Sequence, residues 1–242
     1  SNSSPTITGR TIGNSVANHG IYLDNASPAI TNNTISGMQD YGIYVPTNST
    51  PTVTGNTIMK NRIGIYVEYA SNNPVFSGNT YSDNPDGDIY AIGTITGSVQ
   101  WGETGDMVYR TGVLGVAEGG TLAISSGRTL KINGGAGIYV NGTLKATGAT
   151  FTWADGQSQW LGIYFDGAGS SQSRLENCVI EHATGYNHGI ITTSGSSPTI
   201  TGCTIGNSVA NYGIWLDNAS PAITNNTISG MVYYGIYVPT NS

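Results

Sequence analysis

Charge is what this sequence has least of. Charged side chains make up 9% of its 242 residues, against roughly 25% in an ordinary soluble domain. Eight Lys and Arg cannot lay down the basic footprint of a nucleic-acid binder, so no nucleic-acid partner is expected. The 14 acids give a net charge of −6, scattered along the chain, which favours solubility over capture of a cationic partner. Two cysteines exclude a disulfide framework. No apolar run approaches the roughly 20 residues of a membrane span. Low charge with abundant Ile, Val and 15 Tyr also differs from the disorder signature. The opening SNSSPTIT has no initiator Met, signal peptide or anchor, so a mature or excised segment is expected.

What is present is repetition. SPTITGRTI, SPAITNNTI, TPTVTGNTI and NPVFSGNTY place Pro5, Pro28, Pro51 and Pro74 at intervals of 23 residues. Between them stand GIYL, GIYV and GIYV, beginning at Gly20, Gly42 and Gly64. Each cycle holds three short pieces with period-two alternation, so they read as strands. The density of Gly, Asn, Thr and Pro disfavours helix. One coil of 20-odd residues cannot bury its apolar face alone, whereas coils stacked about 4.8 Å apart can. Three interior ladders are predicted. One runs Ile7, Ile30, Val53, Phe76, and later Ile200 and Ile223. The second runs Ile12, Ile35, Ile58, Tyr81, and later Ile205 and Ile228. The third runs Ile21, Ile43, Ile65, then Ile214 and Ile236, with Leu23, Val45, Val67, Leu216 and Val238 beside it.

The turn before the NTI strand carries Arg10, Asn33, Asn56, Asn79, Cys178, Cys203 and Asn226. With its repeats, this pattern resembles the right-handed parallel β-helix superfamily, of pectate-lyase-like shape, whose turns often carry an asparagine ladder. The middle segment from GGTLAISSGRTLKI to LENCVIEHA resembles the opening coils of bacterial and archaeal surface β-helix proteins. The resemblance implies an all-β fold, a single right-handed parallel β-helix (β-solenoid) of about ten coils. It leaves activity open, because that superfamily hosts lyases, hydrolases, adhesins and fibres. Three stretches are expected: regular 23-residue coils over 1–93, shorter strands continuing the same solenoid over 94–170, and regular coils again over 171–242.

A longer repeat overlies the coils. Residues 3–49 match 196–242 at a constant offset of 193. Of these 47 positions five differ: Arg10/Cys203, His19/Tyr212, Tyr22/Trp215, Gln39/Val232 and Asp40/Tyr233. The expectation is a tandem array of 193-residue modules, seen here through a window with no polar cap at either end.

Six features bear on chemistry. In the GIYx strands Ile points inward and the next residue outward. That places Tyr22, Tyr44, Tyr66, Tyr139, Tyr164, Trp215 and Tyr237 in an outer stripe, with Tyr90 a candidate member. It reads either as a platform for sugars or a neighbouring filament, or as aromatic stacking that stabilises an exposed face. Threonines at Thr6, Thr8, Thr31, Thr52, Thr54, Thr94, Thr96, Thr199, Thr201 and Thr224 resemble an ice-binding face, but Ala29, Val75 and Ser77 break the rows. Sequons at Asn2, Asn32, Asn48, Asn141 and Asn225 are candidates for glycosylation. Asp83, Asp86 and Asp88 in DNPDGD offer oxygens to Ca²⁺, although turn chemistry explains them equally. Cys178 and Cys203 fall one coil apart, within disulfide reach, and read either as a bridge or as two buried thiols. No catalytic cluster emerges. Glu181, His182 and His188 form the only mixed polar group, and Asp24 and Asp217 sit in equivalent LDNASP turns.

These features point first to a non-enzymatic extracellular structural protein without a cofactor. Its partner would be itself, end to end or laterally, in a cell-surface fibre, sheath or adhesin stalk. A carbohydrate-active or carbohydrate-binding β-helix is the second reading and an ice-binding protein the third.

Overall fold

A computed structural model describes residues 4–13, 16–70, 72–102, 108–154, 156, 158–185 and 188–240. Asn2 lies outside them. The chain is all-β, a parallel β-solenoid, and its coils form two compact units: residues 1–94 with 103–110, and residues 95–102 with 111–242. The described residues contain no helix long and apolar enough to cross a membrane.

In the first unit each coil contributes one strand to each of three parallel sheets. The first sheet is Thr6–Thr8, Ala29–Thr31, Thr52–Thr54 and Val75–Ser77. The second is Thr11–Gly13, Thr34–Ser36, Thr57–Met59 and Thr80–Ser82. The third is His19–Tyr22, Tyr41–Val45, Ile63–Tyr69 and Ile89–Ile95. The predicted ladders are in register: Ile7 pairs Ile30, Ile30 pairs Val53, and Val53 pairs Phe76. Ile30, Ile35, Ile43, Val53, Ile58 and Ile65 are fully buried. Burying one such side chain stabilises the fold by about 1.5–3 kcal/mol.

The corner between the first two sheets explains the repeat's Gly/Asn pair. Gly9, Asn32, Gly55 and Gly78 all adopt positive φ, between 56° and 66°. Gly and Asn tolerate this region, whereas the β-branched residues around them do not. The next residue turns inward. Asn56 is 1% exposed, and its Nδ2 donates to the carbonyl of Ile30 at 2.8 Å and to Asn79 Oδ1 at 2.9 Å. Its Oδ1 accepts from both N–H and Nδ2 of Asn33 at 2.9 Å. Asn33 Oδ1 in turn accepts from the Arg10 N–H at 3.0 Å. A second ladder, which the sequence reading missed, stands at the next corner. There Asn61 Oδ1 accepts from the Met38 N–H, and Asn84 Oδ1 accepts from the Asn61 N–H, both at 3.1 Å.

The GIY glycines have a different cause. A Cβ on Gly20 would lie 2.7 Å from the Gly42 carbonyl oxygen, and one on Gly42 would lie 2.6 Å from that of Gly64. The coils approach too closely there for any side chain.

The second unit stacks six coils. Its first sheet holds Ser98–Trp101, Thr121–Ile124, Thr143–Thr147, Arg174–Glu176, Thr199–Thr201 and Ala222–Thr224. Its outward sheet carries Ile138–Val140, Ile163–Asp166, Gly189–Ser194, Tyr212–Asp217 and Tyr234–Tyr237. The core is bulkier here, with Trp101, Phe151, Trp160 and Phe165 all buried. The two near-copies fold alike: strands of 3–49 recur at the 193-residue offset, as in Thr6–Thr8 and Thr199–Thr201.

An inward position of the second unit breaks the apolar rule. Val140, Phe165, Thr193 and Leu216 are successive partners in one ladder. Thr193 is fully buried, and among the described residues its Oγ1 has no hydrogen-bond partner. A stranded hydroxyl of this kind costs about 1–3 kcal/mol. Thr193→Val keeps the shape and removes the hydroxyl. We expect it to stabilise the protein by about 1 kcal/mol, read as a higher urea midpoint with an unchanged m-value.

Candidate functional site

The aromatic stripe is built by strand register. In the first unit Tyr22 pairs Tyr44, Tyr44 pairs Tyr66, and Tyr66 pairs Tyr90. The ring centroids along this column are 5.1, 5.6 and 5.1 Å apart. A neighbouring column lies beside it: His19 stacks on Tyr41 at 5.0 Å and Tyr41 on Tyr66 at 4.6 Å. Such pairs prefer offset or tilted stacking and add about 0.5–1.5 kcal/mol each beyond burial. Arg62 lies over Tyr41 and is held by Asp40 and Asp86, at 3.6 and 3.7 Å.

In the second unit the column has a gap. Tyr139 stacks on Tyr164 at 5.1 Å, and Trp215 on Tyr237 at 4.5 Å. Between Tyr164 and Trp215 the register places Thr192. One ring is therefore absent, and a cavity of about 660 Å³ opens there. Tyr164 and Trp215 wall it, and Leu161 and Phe165 line it with Thr192. Asp166, Ser194 and Asp217, one above another in register, supply its polar atoms, and His188 lies edge-on to Trp215 at 5.0 Å. Asp217 accepts a hydrogen bond from the Ser194 hydroxyl at 3.2 Å. Both aspartates are exposed. The Thr192 hydroxyl is engaged with the Gly189 backbone at 3.3 Å. Chemically, the cleft offers two aromatic faces and a row of hydrogen-bonding groups.

The Right handed beta helix region model matches residues 1–100 and 108–242. The chain belongs to the right-handed β-helix family. No curated protein and no solved structure matches it.

Within this β-helix the remaining sequence candidates separate. The three aspartates of DNPDGD do not converge. Asp86 is taken by Arg62 and by Arg110 at 3.2 Å, Asp88 Oδ1 accepts from Asn84 Nδ2 at 2.9 Å, and Asp83 sits exposed at φ 55°. Hydrogen bonding and ion pairing within the fold thus engage Asp86 and Asp88. Among the described residues no three His, Cys, Asp or Glu side chains gather where they would hold a metal.

Glu181 and His182 do meet, at 3.5 Å, and Trp153 stacks on His182 at 4.4 Å. His188 instead belongs to the aromatic cleft. Cys178 and Cys203 are both buried free thiols, not a bridge. Each thiol has two carbonyl oxygens within reach of its single S–H: Ala146 and Glu176 for Cys178, Leu175 and Thr201 for Cys203. The neighbouring Cys203 sulfur and burial push the Cys178 thiol well above the usual range. Asn32, Asn48, Asn141 and Asn225 are exposed.

Sequence reasoning missed Thr192, Asp166 and Ser194. The strand GIITTS carries no GIY motif, so a search for aromatic residues passed over the place where one is missing.

The aromatic columns also carry a pH dependence. The Tyr66 hydroxyl is pushed up to about 12, first by burial, then by the neighbouring Tyr41, Glu68 and Tyr90. Tyr44 is raised as well, by burial and by the hydrogen bond it donates to Glu68 at 2.9 Å. The folded state thus holds these protons more tightly than the unfolded chain. The stabilisation is complete below about pH 10 and disappears as pH rises through about 12. Urea midpoints measured across that window should fall, and fall less in the Tyr44→Phe, Tyr66→Phe double variant.

Proposed function

We propose that the chain is a non-catalytic structural segment of an extracellular tandem-repeat protein, in which β-helical modules continue one another by parallel strand pairing to form a cell-surface fibre, sheath or adhesin stalk. The observation that carries this reading is the near-copy of 47 residues at an offset of 193, whose strands recur at the same offset. Ordinary coils of one solenoid diverge much further, as SPAITNNTI and NPVFSGNTY do. Near-identity over two coils marks repetition of a larger unit. Such a unit adds length without requiring new chemistry. Exposed sequon asparagines fit an outer-surface location, because a glycan there would not disturb the core.

The test is the intact mass of the polypeptide isolated from its native source, before and after deglycosylation, together with its sedimentation. The expected result is either a chain carrying further copies of the 193-residue module or subunits that polymerise end to end, with a mass loss on deglycosylation. A monomer no longer than 242 residues, with no tendency to polymerise, would overturn the reading.

A further inference from the structure

The gap in the second unit's aromatic column has the dimensions of one ring. Tyr164 and Trp215 stand on strands separated by the strand of Thr192. Two strand spacings are about 9.6 Å. In the uninterrupted columns, rings follow one another at 4.5–5.6 Å. One further ring would therefore restore the stacking on both sides. Tyr237 already covers one side of Trp215, and Tyr139 one side of Tyr164. Both rings line the cavity, and His188 and Tyr212 meet Trp215 edge-on at 5.0 and 4.9 Å. Its volume of about 660 Å³ lies within the range of small-molecule sites, roughly 300–1,000 Å³.

The near-copy points to the same place. Of the five differences, four fall on the aromatic face or the turn leading into it: His19/Tyr212, Tyr22/Trp215, Gln39/Val232 and Asp40/Tyr233. Between blocks otherwise almost identical, divergence is concentrated there, and it supplies the larger indole at the wall of the cleft. The first block has no such gap in its column: Tyr22 stacks on Tyr44, which stacks on Tyr66.

We infer that this cleft binds a pyranose ring of a neutral polysaccharide, sandwiched between Tyr164 and Trp215. A pyranose has apolar C–H faces that suit the two aromatic walls. Its equatorial hydroxyls point outward from the ring edge, toward Asp166, Ser194 and Asp217. Carboxylates accept from hydroxyl donors in charge-assisted hydrogen bonds. The same two carboxylates repel an anionic sugar, so a uronate is excluded as the occupant. A quaternary ammonium is the competing occupant, since aromatic walls and carboxylates also suit a cation, and the comparison ligands below separate the two. The inference is independent of the fibre reading, since the cleft lies wholly within the second unit.

The test uses the full chain with neutral oligosaccharides (cellohexaose, xylohexaose and mannohexaose). Hexagalacturonate and choline serve as comparison ligands. Saturation-transfer NMR reads the sugar protons in contact, and chemical shifts read the indole N–H of Trp215. The expected result is binding of at least one neutral oligosaccharide, with transfer to the ring C–H protons and a shift of that indole.

Thr192→Tyr supplies the missing ring from the protein itself and should abolish binding. Trp215→Ala should weaken it at least tenfold, about 1.4 kcal/mol. Trp215→Tyr, the residue found in the near-copy, should retain part of the affinity. Circular dichroism and thermal melting establish that each variant folds. If Thr192→Tyr does not fold, Trp215→Ala and Trp215→Tyr decide the matter. Absence of binding to all neutral probes at millimolar concentration would overturn the inference. So would tighter binding of hexagalacturonate or choline, or unchanged binding in a folded Thr192→Tyr or Trp215→Ala variant.

Discussion

Asn56→Ala should destabilise the protein by about 3–5 kcal/mol, one of the largest effects available to a single substitution in this fold. The amide is 1% exposed and joins three coils. Its loss removes the acceptor of the Asn33 N–H, one of the two acceptors of Asn33 Nδ2 (which keeps the Ile7 carbonyl), and the side-chain donor to the Ile30 carbonyl. Each buried group left without a partner costs about 1–3 kcal/mol. Asn226→Ala removes an equivalent amide from the second unit, where Asn226 accepts from the Cys203 N–H and donates to the Ile200 carbonyl. Asn226 is only half-buried, so solvent can replace part of what is lost and the cost should be smaller. Chemical denaturation of both variants checks the order. An Asn56→Ala loss below that of Asn226→Ala would mean that burial does not set the ladder's worth.

The second large effect is a gain. Ile43 is fully buried because the coil of Ile65 lies against it. Its counterpart at the 193-residue offset, Ile236, is 44% exposed, and Val238, the counterpart of Val45, is 54% exposed. Fusing a copy of residues 50–93 after residue 242 supplies the coils that cover Ile43 and Val45 in the first unit. Ile236 should then pair with the added copy of Ile65, and Val238 with that of Val67, as the register of the first unit dictates. Completing the burial of these two side chains contributes about 2 kcal/mol by transfer alone, and the fused coils add their own ladders. The expected observations are a higher melting temperature and slower hydrogen exchange at residues 227–237. Unchanged exchange there would show that the added coils do not dock, and would weigh against continuation of modules by strand pairing.

Much of this architecture is legible in the residues because a solenoid repeats its physics. Proline every 23 residues fixes the coil length, and Ile between Thr fixes which side faces inward, so partners such as Ile12 and Ile35 follow by counting. The ladder of Asn33, Asn56 and Asn79 is legible for the same reason. The ladder of Asn61 and Asn84 was not, because the corresponding position one coil earlier is Met38, whose contribution is its backbone N–H. Asp166 and Thr192 lie in coils that depart from 23 residues, where counting fails. The cleft is also defined by an omission, which a motif search does not register. Cys178 and Cys203 show a different limit: alignment gives their proximity, but oxidation depends on side-chain rotamers and redox surroundings. The carboxylates of DNPDGD lie close together in sequence, yet Arg62, Arg110 and Asn84 draw them apart.

The asparagine ladder of the first unit has an electrical consequence. Along it, each amide oxygen accepts from the preceding coil, while each nitrogen donates to a carbonyl of that coil and, in Asn33 and Asn56, also to the next amide oxygen. The amide dipoles therefore point the same way and polarise one another. Their negative end lies toward Arg10, whose N–H donates to the first oxygen of the series. The stack thus carries a direction as well as a shape. Two such stacks placed like end to like end would repel across the junction, whereas head-to-tail contact sets positive against negative. Polarity of this kind would select the orientation of neighbouring modules before any side chain at the junction interlocks.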